Sequence, residues 1–251
     1  MGSDHTRAVN SSALSTSLLL LGISSAAFDV GCVLIKTPFL RSGVTAGDAI
    51  EVIGVFVVLA LFMRVARLSS GPEALRGGSG VSPREAFLLG LAATAFALGH
   101  GVHVAANSIH DLADRSRLGD PTGLMNFWDE GVGHYMVDSA RVLFAVVLTV
   151  IARGAGVSAA WSRSRFAVIG AIPFGFTVFA AAVEGQTVPL VLPFCAFYCG
   201  WSHFARDKSG GAVRAFFTVA MCTSLLFFAI WGIWQHGFPE FTRAGIIRHA
   251  P

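Results

Sequence analysis

Side chains able to hold a metal ion or move a proton recur at helical spacing in two stretches of this 251-residue chain. His100, His103, Asn107, His110 and Asp114 follow one another in steps of three and four, which places them on one stripe of a helix. Glu130, His134, Asp138 and Arg141 do the same a little further on. Neutral imidazole is the commonest metal ligand. Histidines at i and i+3 can meet a carboxylate or histidine of a facing helix, giving three protein ligands and an open position. On residue types alone, His100, His103 and His134 are the first-choice ligands, with Asp138 or Glu130 as a fourth ligand or as the partner that orients an imidazole. An ion so held lowers the pKa of its bound water towards ~7 and polarises a carbonyl or phosphoryl group, and Glu130 or Glu184 would carry the proton. Zn is the plainest ion for such a set, while mixed nitrogen and oxygen ligands also suit Fe or Mn.

The elements that position these residues follow from hydropathy. Hydrophobic residues make up 54% of the chain and charged residues 13%, against about 25% charged in a soluble domain. The apolar residues fall into seven blocks between polar breaks: Ala13 to Ile35, Ala49 to Val65, Ala86 to Ala106, Gly131 to Ala152, Phe166 to Val183, Val188 to Trp201 and Val213 to Trp234. Most are about as long as the ~20 residues a helix needs to cross the bilayer core. The expected fold is therefore all-α: one polytopic integral membrane domain over residues 1–251, with seven transmembrane helices. Four scattered cysteines and a net charge of +3 supply neither a disulfide framework nor a basic groove, which excludes a nucleic-acid partner. The sequence sets no oligomeric state.

Short cytoplasmic loops retain Lys and Arg. Arg64, Arg67, Arg76 and Arg84 flank the loop after the second span, Arg153, Arg163 and Arg165 follow the fourth, and Arg206, Lys208 and Arg214 follow the sixth. The alternate loops carry only Lys36, Arg41, Arg115 and Arg117, so the amino terminus is expected inside and the carboxyl terminus outside, in the plasma (cytoplasmic) membrane. The first block, with Arg7 ahead of it, also has features of a cleaved signal peptide. Its run past Asp29 to Ile35 is too long for a signal h-region and favours a retained span.

With that orientation the ionisable residues gather at the outer side. Asp29, Asp48 and Glu51 join the two stripes there, and Glu184, Gln235 and His236 end the fifth and seventh spans on the same side. An ionisable residue in the bilayer costs ~2.5–3.5 kcal/mol on insertion scales, so it faces the bundle interior and marks function by default. At 1.5 Å per residue in antiparallel helices, His103 should share the depth of His134, and His100 that of Asp138. The result is an outward-facing polar cleft between the third and fourth spans, closed by the first, second, fifth and seventh.

The segment Gly99-His100-Gly101-Val102-His103-Val104-Ala105-Ala106-Asn107, followed by Phe127-Trp128-Asp129-Glu130 and by Trp234-Gln235-His236 at the end of a seventh span, resembles the CREST group of seven-helix membrane hydrolases. That group includes alkaline ceramidases and the progestin and adipoQ receptors. The resemblance implies a zinc ion held by histidines of an early span and of the last span, hydrolysis of a lipid amide or ester, ligand roles for His103 and His236, and an acid at Asp129. The chain departs from the group in lacking a paired His-x-x-x-His in the last span and in the long gap from His103 to Asp129.

The expected function is metal-dependent hydrolysis of a membrane lipid or another hydrophobic small molecule. A proton- or cation-coupled permease could use the same cluster through Asp29, Glu51, Glu130, Asp138 and the histidines. A sensor that reads histidine protonation, and His–carboxylate hydrogen bonds that merely join helices, are the non-catalytic alternatives. The inner halves of the spans are almost wholly apolar apart from Tyr198 and His203, which favours chemistry over a continuous path. Haem between His100 and His134 is opposed by the crowding carboxylates. Cys195 and Cys199, one turn apart, read as small buried hydrophobes, and the Gly-x-Ser-Gly string at Gly77 to Gly80 reads as linker.

Overall fold

The computed structural model describes residues 2–35, 46–70, 80–116, 122–154, 165–205 and 210–247. Among these there is no strand. The elements are α1 (Gly2–Leu34), α2 (Ala46–Ser69), α3 (Pro83–Ser116), the short α4 (Thr122–Asn126), a π-helical segment (Phe127–Gly133) running straight into α5 (His134–Gly154), then α6 (Arg165–Glu184), α7 (Val188–Phe204) and α8 (Gly211–Gln235). The loop cations Lys36, Arg41, Arg76, Arg117, Arg163, Arg206 and Lys208, and most of the Gly-x-Ser-Gly string, lie outside the described residues. So do the side chains of Arg7, Asp48, Asn107, His110, Asp114 and Arg115.

All seven apolar blocks are helical. Six segments are long and apolar enough to cross a membrane: Ser12–Cys32, Ala49–Ser69, Pro83–Ala106, Gly123–Gly154, Arg165–Glu184 and Gly211–Gln235. The remaining apolar block, the sixth in the chain, is α7, with 17 residues; at 1.5 Å each it reaches ~26 Å of a ~30 Å core. Large apolar side chains project outward along the helices, among them Phe56 and Phe197 at mid-helix and Phe87 and Ile233 nearer the ends. In water so much exposed apolar surface would drive aggregation; against lipid it is the expected exterior. The fold is an all-helical membrane bundle.

Lipid gives no hydrophobic reason for helices to associate, so small residues and internal hydrogen bonds must do it. α1 packs most extensively against α6 and α2, α6 against α8, and α3 against α5. At the first of these contacts a Cβ on Gly170 would strike the Leu19 Cα at 2.6 Å and the Leu18 carbonyl oxygen at 2.7 Å. A larger residue there would force the helices apart. Hydroxyls close their own hydrogen bonds within the helix, as Ser17 does to the Ala13 carbonyl (2.8 Å) and Ser69 to the Val65 carbonyl (2.7 Å). An aromatic core fills the centre: Phe62 stacks on Phe144 at 4.1 Å between ring centroids and meets Phe96 and Phe174 edge-on. Pro189 occupies the first turn of α7, where a missing N–H costs nothing, whereas Pro173 and Pro193 sit inside α6 and α7.

At the end where α6 finishes, residues 238–247 fold back over the bundle. The Trp231 indole N–H donates to the Pro239 carbonyl at 3.1 Å, and Phe241 packs on Trp231 and Phe179. The Glu184 carboxylate accepts from the Phe241 amide at 2.8 Å and from the Thr242 hydroxyl.

Candidate metal centre

The polar site forms where α3 touches the π-helical segment almost backbone to backbone. A Cβ on Gly99 would meet the Gly133 carbonyl oxygen at 2.8 Å, and one on Gly133 would meet the Gly99 oxygen at 3.2 Å and the His103 amide nitrogen at 3.3 Å. This close approach brings His103 of α3 against His134, the first residue of α5, with ring centroids 4.6 Å apart. The equal depth expected for the two histidines is therefore realised.

Three carboxylates complete the arrangement. His103 Nδ1 is hydrogen-bonded to Asp129 Oδ1, and its Nε2 lies 3.2 Å from Glu51 Oε1 of α2. His134 Nε2 lies 3.8 Å from Asp129 Oδ1 and 3.9 Å from Glu130 Oε2. One ligand atom from each of His103, Asp129 and His134 falls within 4.8 Å of the others. A tetrahedral ion with bonds of ~2.0–2.1 Å sets its ligand atoms roughly 3.3 Å apart, so a small inward movement would close the three around one ion. Their side chains keep 22%, 14% and 16% exposure, enough to be reached and too little to be fully solvated.

The π-helical turn explains which acid faces the histidines. An α-helix would align Glu130 with His134 at i+4 and turn Asp129 away. Wider i→i+5 winding also brings Asp129, five residues before His134, onto the same side. Both acids thus approach one imidazole. Glu130 Oε2 is buried without a hydrogen-bond partner among the described residues. The charges of Asp129, Glu184 and Glu240 also bear on Glu130, so the site carries an excess of carboxylates over its two histidines.

Deeper in the bundle a second polar group has a different character. Arg141 Nη2 donates to both oxygens of Asp29 at 2.9 and 2.7 Å, and Nη1 donates to Asp138 Oδ1 at 2.9 Å. The Thr187 hydroxyl donates to the other Asp138 oxygen. Asp138 and Arg141 are 2% and 7% exposed. The guanidinium lies 5.8 Å from the centre of the Phe96 ring.

The residues expected to act together are thus divided. His103 and His134 converge, with Glu130 beside them. His100 is buried edge-on between Phe28 and Phe96, at centroid distances of 4.8 and 4.7 Å, and neither ring nitrogen has a hydrogen-bond partner among the described residues. Asp138 belongs to the Arg141 network, and Glu184 anchors the returning tail. His236 caps α8 in a left-handed conformation (φ 55°), exposed, and is not one of the three converging ligands. The residue-by-residue spacing did not single out Asp129, which only the family resemblance raised, and gave Glu51 and Thr187 no partner. The available signal for Asp129 was Gly133, whose missing side chain permits the close contact with α3. Comparison of the chain with protein-family models, with curated proteins and with solved structures finds no significant match.

Proposed function

We propose that this protein is an integral membrane metalloenzyme that binds one divalent ion, Zn before Fe or Mn, and hydrolyses a membrane lipid or another hydrophobic small molecule. The observation carrying this reading is the convergence of His103, Asp129 and His134, from two helices and a π-helical turn, within 4.8 Å. The bound ion would supply Lewis acidity to the substrate carbonyl or phosphoryl group and an acidified water. His103 and His134 hold the site, and Glu51 orients His103 through its second nitrogen, as outer carboxylates do for metal-bound histidines. Glu130 Oε2 stands beside His134 and takes the proton. The positive-inside pattern supports an outward-facing site with the amino terminus inside, and the proposed location is the plasma membrane.

The test is metal content of detergent-purified protein, measured by mass spectrometry beside a His103→Ala, His134→Ala double variant. About one ion per chain, absent from the variant, is the expected result; none in either protein would overturn the reading. Glu130→Gln should keep the ion and lose turnover on lipid ester and amide substrates. A second reading, a cation-coupled permease, draws on the buried Asp29–Arg141–Asp138 network, which extends charge below the site. It predicts cation-driven uptake in vesicles that fails when Asp29 becomes Asn.

A further inference from the structure

Three of the chain's four cysteines meet at one helix pair, α7 and α8. Cys199 Sγ of α7 lies 3.3 Å from Cys222 Sγ of α8. Cys195 Sγ, one helical turn away on the same face of α7, lies 3.3 Å from Met221 Sδ of α8. Four sulfur atoms thus form two facing pairs across one interface. Met221 and Cys222 are adjacent near the middle of α8.

From this juxtaposition we infer a second metal site, built on Cys199 and Cys222 with Cys195 and Met221 beside them, that takes a soft monovalent cation of the Cu(I) type. Thiolate and thioether sulfur select Cu(I) over the harder ions that histidine and carboxylate prefer. Charge supports the same choice. Binding of Cu(I) with loss of one thiol proton to solvent leaves a neutral ion–thiolate unit, and the second thiol or the thioether adds a ligand without adding charge. A divalent ion reaches neutrality only if both thiols lose their protons, one ionisation more than Cu(I) needs in the apolar middle of the bilayer, where ionising a group is costly. Burial is graded along the row, from Cys222 on the lipid-facing side through half-buried Cys199 to fully buried Cys195. Met221 also lines a cavity of about 10 Å³ shared with Asp138 and Arg141, so the sulfur row reaches from the outer surface of α8 to the interior.

The test is Cu(I) titration of the full chain in detergent under reductant, in competition with bicinchoninate. A His103→Ala, His134→Ala background keeps the histidine site silent. One Cu(I) per chain is expected, with thiolate-to-Cu(I) charge-transfer absorption. The affinity should fall at least 100-fold in Cys199→Ser, Cys222→Ser and stay unchanged in Cys32→Ser. Cys222→Ser alone, at an exposed position, should weaken binding while leaving the melting temperature unchanged. No Cu(I) held against the competitor, or binding untouched by these substitutions, would show that the sulfurs only pack. The readout is separate from the zinc content that tests the histidine site.

Discussion

Two carboxylate-rich clusters stand close together in this bundle and solve the same electrostatic problem in opposite ways. Around Arg141 the positive charge is covalently part of the chain. Both Asp29 oxygens and both Asp138 oxygens are occupied, by Arg141 and Thr187. Around His103 and His134 the acids Glu51, Asp129 and Glu130 outnumber the histidines, and one Glu130 oxygen has no hydrogen-bond partner among the described residues. A closed network is what structure needs; an under-compensated one suits an exchangeable cation. Buried polar groups are otherwise almost always satisfied, so the contrast separates scaffold from site more sharply than the residue types do.

Substitution at Arg141 should break the comparison most visibly. Arg141→Met strands two carboxylates in an apolar interior, and losing one partner of a buried pair costs about 3–5 kcal/mol. The expected outcome is a collapse of folded yield and a large fall in the detergent melting temperature; an unaltered melt would mean the network is no scaffold. Asp129→Asn should act on the other side of the divide, lowering metal affinity on the order of 10–100-fold while barely changing the melt of the ion-free protein. Equilibrium competition with a chromophoric chelator measures the first and calorimetry the second. The smallest effect should come from Thr187→Val, which removes one hydroxyl donor to Asp138 and should cost roughly 1 kcal/mol with metal affinity unchanged. A loss of metal in that variant would join the two clusters into one functional unit.

The long helices were legible because a membrane imposes a length, and each block of about twenty apolar residues declares itself. The pairing of His103 with His134 was legible too, since helical rise fixes depth once two helices are antiparallel. Glu184 was not. Its position at the end of α6 matches a site residue, but the tail returns through Pro239, Phe241 and Thr242 and takes its oxygens, a contact between residues 57 and 58 apart in sequence. His100 follows the polar stripe faithfully, yet Phe28 arrives from α1 to enclose it with Phe96. No spacing rule within one helix reports such a neighbour. Asp129 escaped the stripe because periodicity assumes a constant pitch, and the pitch changes at Phe127–Gly133.

That change of pitch ties the chemistry of the site to a count of residues. With five steps from Asp129 to His134 and four from Glu130, one imidazole sees two acids. Removing a single residue between them, Gly131 for instance, would restore ordinary winding and leave Asp129 four and Glu130 three residues before His134, changing which acid stands closest to the imidazole. Chain length over seven residues would thus set which acid stands nearest an ion held as proposed, and insertion or deletion there would alter the charge around it without replacing any of these side chains.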